Sequence, residues 1–349
     1  MVMNVKRIYK WHHWTGLIVG LFLLLMSITG ALLVFTEEME VAADAPFKKI
    51  ENASGDFSYD ASFEMIRQTY PDYEIRLYDH PGINEALVYE LRQKNNSKKI
   101  FSDPVKGNVI HTMQNSDNQL HRRLLIFHYT LFSGTAGKIF VVFIGLLFLI
   151  SVITGIVIYR KAIWKTIVFE KRIQYQSRGA FNSSLHRSIG VWSLLFNLLI
   201  IVTGLALSIQ IALVAIKAPA AKIAKTENRI HSLDTIVQKL RATNPGFEIH
   251  LIRIRPHSNS VQLSGRYKKD PSVYGNYASY FIVDGASQKI EKTQIMSSLP
   301  VTKKMLLMAA PVHFGNFGGI LLKILYCFLG LMPAILSITG FLIWRRRQR

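Results

Sequence analysis

The histidines are the residues of this 349-residue chain whose positions point most directly to chemistry. There are eleven, and two of them, His12 and His13, stand immediately before an apolar run long enough to cross a bilayer. An imidazole is costly at such a place unless it has a polar partner or a metal there. The useful distinction is therefore between histidines that recur in a regular pattern and those that do not.

An internal repeat separates four histidines from the others. An offset of 174 residues places His12 on His186 and also aligns the segments TYPDYEI and TNPGFEI. An offset of 185 residues places His128 on His313. The two alignments also relate four Thr-Gly pairs, which begin at Thr29, Thr154, Thr203 and Thr339. Such pairs are typical of close helix packing, with the threonine hydroxyl bonded within its own helix.

The repeat predicts a tandem duplication in which each half contains a helix, an outer domain and a second helix. Four apolar runs reach the roughly 20 residues that a hydrocarbon core of about 30 Å requires of a helix. The predicted spans are residues 14–35, 139–159, 191–216 and 318–344. The first run is longer than that of a secretory signal peptide and is expected to be retained.

Lysine and arginine in short flanks predict the orientation of these spans. Basic clusters precede the first span, fill the segment between the second and third spans, and end the chain. All three clusters are then cytoplasmic, and residues 37–137 and 217–317 lie outside. Much of the net charge of +20 is this topology signal, so membrane lipid is the expected partner and nucleic acid is not.

This topology puts the repeated histidines in two pairs, His12 with His186 at the cytoplasmic edge and His128 with His313 at the outer edge. Two imidazoles that project from two helices into an apolar gap are what a haem with two axial histidines requires. The sequence therefore predicts two haem b groups per chain, with these four histidines as iron ligands. Glycines near the ligands would leave room for the flat ring, at Gly16, Gly190, Gly134, Gly137 and Gly315.

Other interpretations stay open at this stage. Interfacial histidines often simply hydrogen-bond near lipid headgroups, and a zinc site would need ligands that the sequence does not place beside them. His121, seven residues before His128 on the same helical face, competes with it as a ligand, whereas His13 is interpreted as interfacial. Five basic residues are either partners of haem propionates or ordinary flank charges: Arg122, Arg123, Arg187, Lys303 and Lys304.

Each outer segment combines a helical pattern with alternating strand patterns, which predicts a small α+β unit of one helix on an antiparallel sheet. The fold class is thus a mainly α membrane protein with four transmembrane helices and two small α+β domains. The predicted order is the N-terminus with the first span (1–36), the first outer domain (37–127), the second span with its ligand segment (128–160), a basic loop (161–185), the third span (186–216), the second outer domain (217–312) and the fourth span with the C-terminus (313–349).

Four motifs resemble those of the PepSY-associated transmembrane proteins, often called iron-regulated membrane proteins. They are WHHWTGL, FHYTLFSGTAGK, LHRSIGVW and HFGNFGG, and the resemblance covers nearly the whole chain. It implies PepSY-like periplasmic domains, haem, and reduction of ferric siderophores outside the bacterial inner membrane. The short cytoplasmic loop leaves no room for a fused flavin or nicotinamide domain, so an external electron donor, a quinol or a flavoprotein, is expected.

The expected function is that of a haem-dependent reductase of a ferric siderophore or another ferric chelate, with no catalytic residue identifiable beyond the ligands. One alternative is a membrane-anchored PepSY protein that binds or regulates a peptidase or another envelope partner, but it does not explain the four repeated histidines. A permease would more often show polar interruptions in mid-span, and Asn197 is the one strong candidate for such a residue.

Overall fold

The computed structural model describes residues 5–50, 55–78, 82, 84–93, 96–114, 119–217 and 230–348. The chain forms two compact units. The helical unit contains residues 1–36, 124–218 and 309–349, and the sheet unit contains residues 37–123 and 219–308.

The described residues form twelve α-helices. In chain order they are α1 (Val5–Leu33), α2 (Thr36–Lys48), α3 (Asp60–Thr69), α4 (Leu120–Thr130), α5 (Gly134–Tyr159), α6 (Ile163–Ile167), α7 (Arg178–Trp192), α8 (Leu194–Lys217), α9 (Leu233–Thr243), α10 (Val301–Phe314), α11 (Gly319–Gly330) and α12 (Met332–Arg347).

Four stretches of helix in the described part of the chain are long and apolar enough to cross a membrane. They are Val5–Leu33, Gly134–Tyr159, Leu194–Ile216 and Gly319–Arg347. The prediction of four apolar spans is confirmed, and the protein is a membrane protein. His186 lies in α7, before the third span, and His128 and His313 lie in α4 and α10, before the second and fourth.

The helical unit contains two helix interruptions whose polar groups have partners. Between α11 and α12, the hydroxyl of Ser27 on α1 donates to the Gly330 carbonyl and accepts from the Ala334 amide at 3.2 Å. Between α7 and α8, the Ser193 hydroxyl donates to the Ile189 carbonyl at 2.7 Å. Such partners are needed because lipid offers none to an open backbone group.

The sheet unit is built on one antiparallel sheet with the strand order β4-β3-β2-β1-β5-β6-β7-β8. The strands are β1 (Glu74–Tyr78), β2 (Leu87–Gln93), β3 (Asn96–Ser102), β4 (Val109–Gln114), β5 (Phe247–Ile254), β6 (Ser260–Tyr267), β7 (Ser279–Asp284) and β8 (Ile290–Gln294).

The sequence predicted a separate sheet for each of the two outer segments. This prediction is wrong, because the two segments share one sheet. Strand β1 of the first segment pairs with β5 of the second, with Leu77 opposite Ile252. An edge strand exposes unpaired backbone groups, and this pairing removes one such edge from each segment. Sequence periodicity describes one strand at a time and does not show which edges join.

One hydrophobic core lies between this sheet and the helices α3 and α9. In β1 the alternate residues Ile75 and Leu77 are buried, as a strand with one covered face requires. In α9 the buried residues recur at helical spacing, at Leu233, Ile236, Val237 and Leu240. Both segments thus contribute to the same core, which explains why they form a single unit.

A buried ion pair attaches α2 to β3 within the sheet unit. The Lys99 ammonium lies 2.8 Å from the Asp44 carboxylate and 2.7 Å from that of Glu40. Burial acts to lower the pKa of Lys99, but the two carboxylates outweigh it and raise that pKa above its usual value. Removing one partner of a buried pair typically costs about 3–5 kcal/mol, so these charges hold α2 in place.

The N-termini of α3 and α9 cap each other. The Asp60 carboxylate accepts from the Leu233 amide at 2.7 Å, and the Asp234 carboxylate accepts from the Tyr59 amide at 2.9 Å. Each aspartate also accepts a hydroxyl proton, from Ser232 and Ser58 respectively. Carboxylates are stabilising at helix N-termini, where they accept from unpaired amides and face the positive end of the helix dipole.

We predict that Asp60→Ala and Asp234→Ala each destabilise the sheet unit by about 1–3 kcal/mol, since each leaves buried amide donors without an acceptor. The measurement is the thermal midpoint of the purified full-length protein in detergent. Asp56→Ala, at an exposed aspartate near α3, is the control. Equal midpoints for Asp60→Ala and Asp56→Ala would show that the reciprocal caps contribute nothing.

Candidate functional site

The four repeated histidines form two sites in the helical unit. The first site consists of His12 on α1 and His186 on α7, and the second site consists of His128 on α4 and His313 on α10. The ring centroids of His12 and His186 are 6.3 Å apart, with 78° between the ring planes. His128 and His313 also lie within electrostatic range of each other.

The separation at the first site fits an ion held between two imidazoles. A metal–nitrogen bond of about 2 Å on each side, with about 1 Å from each nitrogen to its ring centroid, gives centroids about 6 Å apart. The two rings do not stack on each other, and the hydrogen bonds from His12 to Ser151 and Thr154 and from His186 to Thr339 use Nδ1. The pair therefore has the spacing of two axial ligands.

A cavity of about 450 Å³ surrounds the first site. It is lined mainly by apolar side chains, such as Leu17, Val152, Val191 and Leu336. A volume of this size is typical of sites for small molecules and cofactors. Sequence reasoning identified both histidines here but could not show that a cavity joins them.

Two of the predicted glycines, Gly16 and Gly190, line this cavity four residues after the histidines. A Cβ added at either would meet no atom closer than 3.8 Å, which is Ser151 Oγ for Gly16 and Leu336 Cδ2 for Gly190. Protein packing therefore does not require glycine at these positions. The space that the missing side chains leave is suited to a flat ring beside the imidazoles.

Each of the four histidines packs on a Thr-Gly pair of another span. The Nδ1 atoms lie 3.3 Å from Thr154 for His12, 2.9 Å from Thr339 for His186, 2.9 Å from Thr29 for His128 and 3.1 Å from Thr203 for His313. His12 Nδ1 also lies 2.8 Å from the Ser151 carbonyl. The same arrangement thus occurs at four places.

The glycine of each pair lets the imidazole approach. A Cβ added there would lie near the imidazole Cε1, at 3.2 Å for Gly155, 3.5 Å for Gly340, 3.1 Å for Gly30 and 2.9 Å for Gly204. The three shortest of these distances are tighter than ordinary van der Waals contact. The sequence showed that the Thr-Gly pairs recur, but not that their partners are the four histidines.

These contacts determine which ring nitrogen carries the proton. Each threonine donates its only hydroxyl proton to the carbonyl four residues earlier in its own helix, at 2.7–2.9 Å. A threonine oxygen whose proton is used in this way accepts from the histidine, which assigns the proton to Nδ1, and at His12 the Ser151 carbonyl, which can only accept, requires the same assignment. Nε2 keeps its lone pair, which is the form of imidazole that binds a metal.

At the second site, the backbone conformation and close contacts explain why two of the predicted glycines are glycine. A Cβ at Gly137 would lie 1.7 Å from the Thr130 carbonyl oxygen, so the start of α5 requires glycine there. Gly315 has a φ of 71°, and a Cβ added there would lie 3.0 Å from Cδ1 of the Tyr326 ring. Gly134 has a φ of 54° and open space around its Cα. Their role beside a haem stays a prediction.

His121 is placed apart from the paired histidines. It lies in the sheet unit and is buried, and its Nε2 has no hydrogen-bond partner among the described residues. Burial lowers the pKa of His121, with Glu40 acting in the opposite direction and Lys99 in the same one. His128, which packs on Thr29 and Gly30, is therefore the better candidate for a ligand.

His13 lines the cavity of the first site, and its ring centroid lies 5.6 Å from that of Trp14.

Two arginines line the cavity of the first site, Arg187 and Arg347. Arg187 was predicted as a propionate partner, but the sequence gave Arg347 only the role of a flank charge. Arg122 instead pairs with Glu90 in the sheet unit. Arg123 and Lys303 are exposed, while Lys304 is partly buried.

We predict that Thr339→Val weakens haem binding at the first site by about 10–100-fold, because ligands without their hydrogen-bond partner lose orientation and basicity. Thr339→Ser keeps the hydroxyl and should bind as the parent does. The measurement is titration of haem into haem-depleted protein, followed by absorbance. Equal affinities of the valine and serine variants would show that the threonine contact does not orient the ligand.

Comparison with known proteins gives one match to a family. No curated protein matches the chain. The sequence pattern of the PepSY-associated TM region matches residues 9–347, which is nearly all of it. The match includes all four repeated histidines and the Thr-Gly pairs on which they pack. The chain belongs to the family of the PepSY-associated TM region.

Proposed function

We propose that this protein is a di-haem electron-transfer protein of the bacterial inner membrane that reduces ferric iron on the periplasmic side. The observation that carries the proposal is the first site, where His12 and His186 stand at ligand spacing in an apolar cavity. Their protonated nitrogens are already engaged, so both Nε2 atoms are left for one metal ion.

The proposal gives each of these side chains a role. His12 and His186 would hold one haem b, and His128 and His313 the other. Bound haem supplies reversible transfer of single electrons, with a potential set by its ligands and surroundings. Gly16 and Gly190 would leave room for the ring, Arg187 and Arg347, which line the cavity, would pair with its propionates, and the apolar lining would exclude water.

The two sites lie far apart along the bundle. His12 and Thr29, which is the partner of His128, are 17 residues apart on α1 and thus about 25 Å apart along its axis. Two sites at this separation cannot share an iron. The topology inferred from the basic flanks puts the first site at the cytoplasmic end and the second site at the periplasmic end. Electrons would therefore pass from the first site to the second.

A ferric siderophore or another ferric chelate is the proposed substrate. Oxygen-rich chelators hold Fe(III) far more strongly than Fe(II), so adding one electron favours release of the iron. The donor is an external quinol or flavoprotein.

The recurrence of the His–Thr-Gly contact at equivalent positions of both halves supports the tandem duplication, and the pairing of α3 and α9 by Asp60 and Asp234, 174 residues apart, supports it as well.

The alternative is a membrane-anchored PepSY protein that binds a peptidase or another envelope partner. The observation in its favour is that β4 and β8 end the sheet, and an edge strand can pair with an extended peptide. It gives no reason for four histidines held by four Thr-Gly pairs. It is therefore the second candidate.

The purified chain is predicted to contain two haems. His12→Ala should lose one of them because its iron loses an axial ligand, whereas His13→Ala should keep both. Haem content is measured against protein by the pyridine haemochrome absorbance. A ratio near one in the parent would contradict the two-site proposal, and loss of haem from His13→Ala alone would show that the ligand is assigned to the wrong neighbour.

The two sites are predicted to differ in function. His313→Ala should stop ferric-chelate reduction while the remaining haem still accepts electrons from the donor. His186→Ala should cut off supply from the donor, yet a small chemical reductant should restore ferric reduction through the second site. The measurement is formation of Fe(II) in detergent, with the two kinds of reductant compared. Identical behaviour of both variants under chemical reduction would show that the sites do not act in series.

A further inference from the structure

Two side chains in the described part of the helical unit have a buried polar atom without a hydrogen-bond partner, Asn197 and Gln210, and of these two Asn197 lines the cavity of the first site. Asn197, on α8, is 3% exposed, and its Nδ2 donates to Ser193 Oγ at 2.9 Å. Its Oδ1 is buried and has no hydrogen-bond partner among the described residues. A buried acceptor without a donor typically costs about 1–3 kcal/mol, so a group that donates to it would gain by binding.

Asn197 lines the same cavity as the first site, at the end farther from Tyr9. It lies eleven residues after His186, beyond the interruption between α7 and α8 at Ser193, and both residues line the cavity. The lining also contains apolar side chains, among them Leu23, Phe148, Leu194 and Pro333. The cavity thus has, besides the ligand pair, a buried amide oxygen that no donor among the described residues satisfies.

The repeat argues against a purely structural role for this amide. The offset of 174 places Asn197 on Leu23 and Ser193 on Val19, so the first half has aliphatic residues where the second half has the polar pair. Leu23 lines the cavity together with Asn197. Helix packing alone is therefore achieved with leucine in one half, and the amide is a specific feature of the other.

We propose that this end of the cavity binds the headgroup of a hydroquinone, with Asn197 Oδ1 accepting a hydrogen bond from one of its hydroxyls. The proposal rests on the proposed function, because the hydroquinone is the electron donor in it. The occupant has to be apolar enough for Leu23 and Phe148, carry an O–H donor for Asn197, and reach mid-bilayer depth from lipid. A hydroquinone meets all three requirements and is oxidisable.

The redox step balances as follows. One hydroquinone gives up two electrons and two protons and becomes a quinone. The two electrons leave singly and reduce two Fe(III) of the substrate to two Fe(II). The hydroxyl held by Asn197 loses its proton, and both protons pass to water at the end of the bundle where Tyr9 and His13 line the cavity.

The test compares Asn197→Leu, which restores the residue of the other half, with Asn182→Leu on α7 as the matched control. Binding of a radiolabelled short-chain benzohydroquinone to the full-length haem-loaded protein is measured by equilibrium dialysis without oxygen, with the haem kept reduced by dithionite so that the hydroquinone is not consumed. Haem reduction by tetramethylhydroquinone is measured without oxygen by absorbance. Haem content and reduction by dithionite are measured in parallel.

We expect Asn197→Leu to lose about tenfold in hydroquinone affinity and in the rate of haem reduction by the hydroquinone, as removal of one hydrogen bond predicts. Haem content and reduction by dithionite should be unchanged, and Asn182→Leu should match the parent. Unchanged affinity and rate in Asn197→Leu would overturn the proposal, and this includes the case in which Asn197 binds only a water molecule.

Two other outcomes separate this inference from the proposed function. If the parent contains haem that dithionite reduces, but it neither binds the hydroquinone nor is reduced by it, the inference fails and the proposed function stands. If the parent contains no haem, the proposed function fails. Loss of haem from Asn197→Leu would overturn the inference as well, because the amide would then act on the haem site itself.

Discussion

The hydrogen bond from a histidine to a threonine on another span is the interaction on which the rest of the helical unit depends. Each threonine gives its proton to its own helix and accepts one from the imidazole, while the following glycine lets the ring lie against the helix. Helix packing and the orientation of the imidazole are therefore set by the same three residues. In lipid the arrangement also satisfies a polar nitrogen that would otherwise be buried without a partner.

In the sheet unit, too, the two segments of the chain make matching contacts with each other, here through aspartates at helix N-termini. Asp60 and Asp234 each cap the helix of the other segment, and β1 pairs with β5, so neither segment is complete without the other. Within each unit, the contacts between the two halves of the chain recur in equivalent pairs. Asn197, which the offset of 174 aligns with Leu23, departs from this regularity.

Much of the helical unit could be predicted from the sequence because its signals are local. Apolar run length locates spans such as Val5–Leu33, and the repeat separates His12 from His13 and His128 from His121. What could not be predicted depends on contacts between distant segments: the β1–β5 pairing, the acceptance of His186 Nδ1–H by Thr339, and the presence of Arg347 in the cavity. Gly137 is a case in which the sequence suggested a role at the site for a residue that the fold itself requires. It lies near a candidate ligand, but a side chain there would collide with the Thr130 carbonyl.

The central claim is that His12 and His186 bind one iron through their Nε2 atoms. Its most direct test is the electron paramagnetic resonance spectrum of the oxidised protein, extracted from membranes and compared with His186→Ala. The account predicts low-spin ferric haem with two nitrogen axial ligands, and loss of one such signal in the variant. A haem-free protein, a high-spin signal in the parent, or a spectrum unaffected by His186→Ala would contradict it.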